Sequence, residues 1–157
     1  MTRWLNYPSF SPPLLTTGAA IMIGAVSTPV YSQANPEFTR QVIAQLDTLT
    51  TQLEPNGYVE VMSYIDEVGL QENESRTWDL TLEPNAEYVI TAVCDDDCQT
   101  LGLTLLEDNA VVGEHRDETP YPRITGLFGS SSYQVTVTMG TCQIEPCYSG
   151  LRVFRQE

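Results

Sequence analysis

The sequence predicts a mainly β protein: an antiparallel β-sandwich of jelly-roll-like type, with one N-terminal α-helix following a signal peptide. Three observations carry this. Helical spacing of apolar residues is confined to Phe38–Leu53. From Gly57 onward the pattern changes to twofold alternation, in short runs parted by Gly, Pro, Asn and Asp. Several short strands at that spacing argue for two packed antiparallel sheets. Four cysteines in two close pairs, Cys94 with Cys98 and Cys142 with Cys147, punctuate the strand region. The expected organisation is therefore residues 1–34 as signal peptide, 35–56 as amphipathic helix and 57–157 as sandwich.

The first segment carries Arg3, an apolar run from Leu14 to Val26, and Ser32-Gln33-Ala34, with small residues where a signal peptidase reads. The run is shorter than the ~20 residues of a spanning helix, and Gly18, Gly24 and Pro29 interrupt or bound it. Cleavage after Ala34 is expected, with no membrane span left and a secreted or periplasmic destination. The chain has 157 residues, 21 acidic and 7 basic. All the acids and six of the basic residues follow Ala34, so the mature segment carries a net charge of −15. Such a field repels phosphate backbones and excludes nucleic acid as a partner class. An even cysteine count in an exported chain points to disulfides. Zinc fits poorly, because Cys-x3-Cys and Cys-x4-Cys filled with acidic residues and lacking a useful His do not match its ligand patterns.

In the mature segment, Asn35-Pro36 supplies an N-cap and a preset first helical residue. Phe38, Val42, Leu46, Leu49 and Leu53 form one stripe, and Glu54-Pro55-Asn56-Gly57 ends the helix. The stripe could dock a partner, but packing on the chain's own sheet is expected. Tyr58–Ile65 reads as a strand and residues 66–76 as a polar loop. Trp78, Leu80 and Leu82 share the inward face of the next strand. Tyr88–Val93 is apolar on both faces, which suggests a central position. Leu101, Leu103 and Leu105 form the next inward row, and residues 110–113 return. Residues 114–120 form a charged loop carrying His115. Arg123–Phe128 follows, then Tyr133–Met139, the clearest half-buried strand, and Leu151–Arg155.

Cys94 and Cys98 enclose Asp95, Asp96 and Asp97. A disulfide needs Cα atoms roughly 4.4–6.8 Å apart, so this loop must turn tightly. Local closure demands no long-range register, and the pairs Cys94–Cys98 and Cys142–Cys147 are expected. The rival is Cys94 with Cys142, both just past strands that could be neighbours. Three carboxylates on a tight turn repel one another, and calcium, a hard cation with flexible oxygen coordination, would relieve that. Asp95, Asp96 and Asp97 are therefore candidate calcium ligands, and a solvated acidic turn is the alternative. An EF-hand is excluded, since Leu101 stands where Gly is needed.

No catalytic site is expected. His115 is the only histidine, and Ser130, Ser131 and Ser132 are not in a Gly-x-Ser-x-Gly elbow. A small secreted hydrolase is thus the weakest reading. Tyr64, Trp78, Tyr121 and Tyr148 could serve as aromatic platforms for a sugar or peptide, although Trp78 lies on the core-facing row.

The run Leu82-x5-Tyr88-Val89-Ile90 into Cys94-Asp95-Asp96-Asp97-Cys98, then Leu101-x-Leu103-x-Leu105, resembles the bacterial pre-peptidase C-terminal (PPC) type of domain. Pro122 to Ile124, then Tyr133-Gln134-Val135-Thr136-Val137, do so too. The Cys142…Pro146-Cys147 ending resembles a disulfide-bearing secreted branch of that group. The resemblance covers Trp78 to Phe154, about half the precursor. It implies a compact sandwich, exported by bacteria and often appended to secreted hydrolases as a non-catalytic module. The family often has Asp-Leu-Asp-Leu where this chain has Thr100-Leu101-Gly102-Leu103, so two carboxylates of any family cation site are missing. The combined expectation is an exported, non-enzymatic module without a cofactor other than possible calcium. Its partner would be an extracellular or periplasmic protein or carbohydrate.

Overall fold

The computed structural model describes residues 35–116, 119–128 and 131–157. The expected signal peptide, residues 117–118 of the charged loop, and Gly129 and Ser130 lie outside them. Helix α1 spans Pro36–Leu53, with a 3-10 turn at Glu54–Asn56. Eight strands follow: β1 Tyr58–Ile65, β2 Ser75–Thr81, β3 Ala86–Cys94, β4 Cys98–Glu107, β5 Ala110–His115, β6 Arg123–Phe128, β7 Ser132–Cys142 and β8 Ser149–Gln156. They form two four-stranded sheets, ordered β1-β8-β3-β6 and β2-β7-β4-β5, with every pairing antiparallel.

The helix begins where its chemistry dictates. Asn35 Oδ1 accepts from Glu37 N, and Pro36 fills the first helical position. It runs into the 3-10 turn, which ends at Gly57, whose φ of +81° is a left-handed conformation that glycine adopts without a Cβ clash. The apolar stripe lies on the outer face of the first sheet. Val42 and Leu46 are fully buried there with Val93 and Tyr148, and Leu53 packs with Val89 and Phe154. The central strands of the first sheet are therefore buried on both faces, which explains why β3 is apolar on both sides: Tyr88, Ile90, Ala92 and Cys94 enter the sandwich core, while Val89 and Val93 meet the helix side.

Two features of β8 let the helix sit close. Gly150 has no side chain, and a Cβ there would stand 2.8 Å from Val42 Cγ1 and 2.9 Å from Ile65 Cδ1. Arg152, two residues on, donates to Thr50 Oγ1 at 2.6 Å and Asp47 Oδ1 at 2.7 Å, and pairs with Glu60 at 3.2 Å. The helix is thus held by an apolar contact and by one largely buried guanidinium.

The inter-sheet core takes Leu80 and Leu82 with the inward rows of β4 and β7, Leu101, Leu103, Leu105, Tyr133, Val135, Val137 and Met139. At one margin Tyr64 of β1 and Trp78 of β2 pack ring to ring, centroids 5.6 Å apart, against the core. At the other, Gly113 of β5 is pressed on Ile124 of β6. The strands run longer than the alternation alone indicates. One boundary changes an assignment: His115 closes β5 instead of lying in a loop, because it pairs in register with Leu103.

Candidate functional site

Both disulfides form within their close pairs, Cys94–Cys98 and Cys142–Cys147, with Cα separations of 5.8 and 6.0 Å. Neither closes a hairpin. β3 and β8 belong to one sheet, β4 and β7 to the other, so each bond pins a corner where the chain crosses between sheets. The corners are neighbours: Cys98 faces Cys142 across the β4–β7 ladder, and Gln143 N donates to Asp97 O at 2.8 Å. The rival pairing of Cys94 with Cys142 needed β3 and β7 as neighbours in one sheet, but they belong to different sheets, and each cysteine's own sequence neighbour lies within bridging distance. Two such bonds indicate an oxidising, extracytoplasmic environment. Among the described residues no helix is long and apolar enough to cross a membrane.

The acidic turn between the first two cysteines is not uniform. Asp95 is buried, 2% exposed, and its Oδ2 accepts from Tyr148 N at 2.8 Å. Its Oδ1 is buried without a hydrogen-bond partner. Asp96 is exposed and its N–H donates to Gln41 Oε1 of the helix; Asp97 is half-buried. Among the described residues, no three His, Cys, Asp or Glu side chains group in a way that could hold a metal ion. Asp95 is internal scaffolding that ties the β3–β4 corner to the start of β8. Tyr148 continues the tie: its ring stacks on Phe38 at 5.7 Å, and its hydroxyl accepts from Asn35 N.

Burial raises the Asp95 carboxyl above its ordinary range, and the nearby Asp97 and Asp96 charges add to this against the Tyr148 N–H bond. A raised carboxyl makes the folded state bind more protons than the unfolded one. Its contribution is therefore fully present below the ordinary carboxylate pKa and is lost as pH rises through the raised value. Asp95→Asn removes that loss. Urea unfolding of both proteins from acid to neutral pH should show the variant gaining stability relative to the native chain as pH rises through that window; a difference independent of pH would contradict the assignment.

The other singled-out residues scatter. His115 Nδ1 lies 2.9 Å from Arg123 O, a contact between the edge strands β5 and β6, and Ser131 and Ser132 are exposed. Tyr148 is buried, and Tyr64 and Trp78 seal the margin between the sheets. Tyr121 is 51% exposed and borders a shallow groove of about 350 Å³ against Gln45, Thr48, Leu49 and Gln52 of the helix.

The outer face of the second sheet is the surface that single-residue reading missed. Rungs of polar side chains cross β2 and β7: Ser75 with Thr138 at 2.8 Å, Thr77 with Thr136 at 2.8 Å, and Gln134 donating to Asp79 at 3.0 Å. Beside them lies a concavity of about 660 Å³, centred on β4 and β7. The signal was present as the small and hydroxyl residues alternating with Leu101, Leu103, Val135 and Val137, but alternation alone reads as a solvated face. No protein-family model matches the chain, and no curated protein matches it significantly.

Proposed function

We propose that this chain is an exported, non-enzymatic binding module of PPC-like type with jelly-roll connectivity. Strand order supports the topology: with eight strands in sequence, β1-β8-β3-β6 faces β2-β7-β4-β5, as two Greek keys wrapped together require. The observation that carries the function is the asymmetry of the two sheets. Helix α1 covers the outer face of the first sheet, whereas Thr77, Asp79, Thr81 and Gln134 leave the second exposed and polar. That uncovered face is the binding surface, and the two cystine corners hold the sheets that present it. Export follows from Arg3, the Leu14–Val26 run and Ser32-Gln33-Ala34 together with the disulfides.

The test is production in a bacterium with an intact export system. The extracytoplasmic fraction should hold a disulfide-bonded chain beginning at Asn35 or within a few residues. Ester and peptide substrate libraries should show no turnover that His115→Ala abolishes. A full-length cytoplasmic product, or hydrolysis lost in that variant, overturns the reading.

A further inference from the structure

We propose that the outer face of the second sheet binds an uncharged glycan in a furrow that Gly102 keeps open, an inference that rests on the binding-module reading above. Glycine inside a strand weakens it, and usually marks a bulge, a bend or a close approach of another group. Gly102 is not itself at a bulge, a left-handed bend or a close contact. Its φ is not left-handed. It pairs in register with Thr138 in a ladder that is regular from Leu101 to Leu106, just past the register shifts between Cys98 and Leu101. A Cβ there would come no closer than 3.7 Å to any neighbour. The other glycines of this sheet differ. A Cβ at Gly140 would overlap the Thr100 hydroxyl, and one at Gly113 would press on Ile124 at 2.9 Å. What Gly102 preserves is the space above it, a gap in β4 between Thr100 and Thr104 with Thr138 alongside.

The lining selects the ligand. In a chain of net charge −14, none of the described residues that line this concavity is acidic. Its walls carry the hydroxyls of Thr100, Thr104 and Thr138 and the amides of Asn73 and Gln99, groups that together donate and accept hydrogen bonds. The charged residue among its described lining, Arg116, is ion-paired with Glu114. A cation finds no carboxylate among the described residues of these walls, and a polyanion meets the repulsion of the whole chain. A neutral chain of hydroxyl groups, each donor and acceptor, matches the walls. The Ser75–Thr138 hydrogen bond holds one wall in place before a ligand arrives, which lowers the ordering cost of binding. The volume of about 660 Å³ falls in the range of small-ligand sites, roughly 300–1,000 Å³.

The experiment is an amide-resolved NMR titration of the intact, disulfide-bonded protein with neutral β-glucan, α-glucan, mannan and xylan hexasaccharides. An oligogalacturonate and a Gly/Ser peptide serve as the anionic and peptide counterparts. At least one neutral glycan should give saturable shifts centred on Gly102, Thr104 and Thr138. Gly102→Val, whose branches fill the furrow, should keep or raise the melting temperature and weaken binding about tenfold or more. The proposal is overturned if no neutral glycan binds at millimolar concentration, if shifts centre elsewhere, if Gly102→Val binds equally well, or if only the oligogalacturonate or the peptide binds. None of these results touches the export and turnover measurements, so failure of the ligand assignment is distinct from failure of the module reading.

Discussion

Leu46→Asp is expected to remove most of the stability of the folded chain. Leu46 is fully buried between helix α1 and the first sheet, among Val42, Val93 and Tyr148, and a Cβ on Gly150 would reach its Cδ1 at 3.1 Å. The substitution removes a buried apolar side chain and leaves a carboxylate with no cation in that cluster. Loss of the leucine alone costs about 2–5 kcal/mol, and an unpaired charge adds to it. A total of about 4 kcal/mol or more corresponds to a fall in melting temperature of roughly 10 °C or more. Thermal unfolding of the purified monomer measures this directly. An unchanged melting temperature with loss of self-association would mean that the helix stripe serves a partner instead of its own sheet.

Gly150→Val is the second large effect, and it runs against hydrophobicity. Valine is more apolar and a better strand former than glycine, so a reading from propensity alone expects a gain. The structure leaves no room: Val42, Ile65 and Leu46 all stand within 3.1 Å of the added Cβ, below normal contact distance. The helix must lift or the sheet must shift, and Arg152 must then loosen its bonds to Asp47 and Thr50. Overpacking of this kind typically costs about 1–3 kcal/mol. The lost Arg152 contacts place the expectation at about 3 kcal/mol, seen as a lower urea midpoint at unchanged slope. A variant as stable as the native chain would show that the helix does not sit this closely. Gly102→Val makes the same substitution on the opposite sheet without the clash, so the pair separates a glycine required by packing from one that is not.

Much of the architecture was legible because each element's pattern agrees with its position. The Phe38–Leu53 stripe has helical period and caps at both ends. The twofold rows of β4 and β7 name their own core face. The two-sided apolarity of β3 announced a central strand, and β3 does lie between β8 and β6, although that pattern could not say that its second face met the chain's own helix. Close spacing favoured local disulfides, and it could not reveal that each bond joins two sheets. The acidic turn hid a difference for a related reason. Three consecutive aspartates look equivalent in sequence, yet the corner after β3 turns Asp95 inward beside Tyr148 and leaves Asp96 outside. His115 was read as a loop residue because its charged neighbours hide a pairing with Leu103 that depends on β4.

By itself, then, the sequence determined the quantities set by local order and composition: the charge, the helix with its caps, the strand rows with their inward faces, and the economy of closing nearby cysteines. Tertiary structure decided what depends on residues distant in the chain. It selected the order in which strands pair, the sheet face that α1 covers, and the burial of Arg152 among Asp47, Thr50 and Glu60. It also gave opposite meanings to two glycines that look alike in sequence. Gly150 lies beneath a helix whose contacting residues are some 100 positions earlier, whereas Gly102 opens onto a face that the helix does not cover. The physical reason is that a missing side chain has no local signature. Its consequence is set by which surface the fold brings against it, and that surface exists only once the two sheets and the helix have assembled.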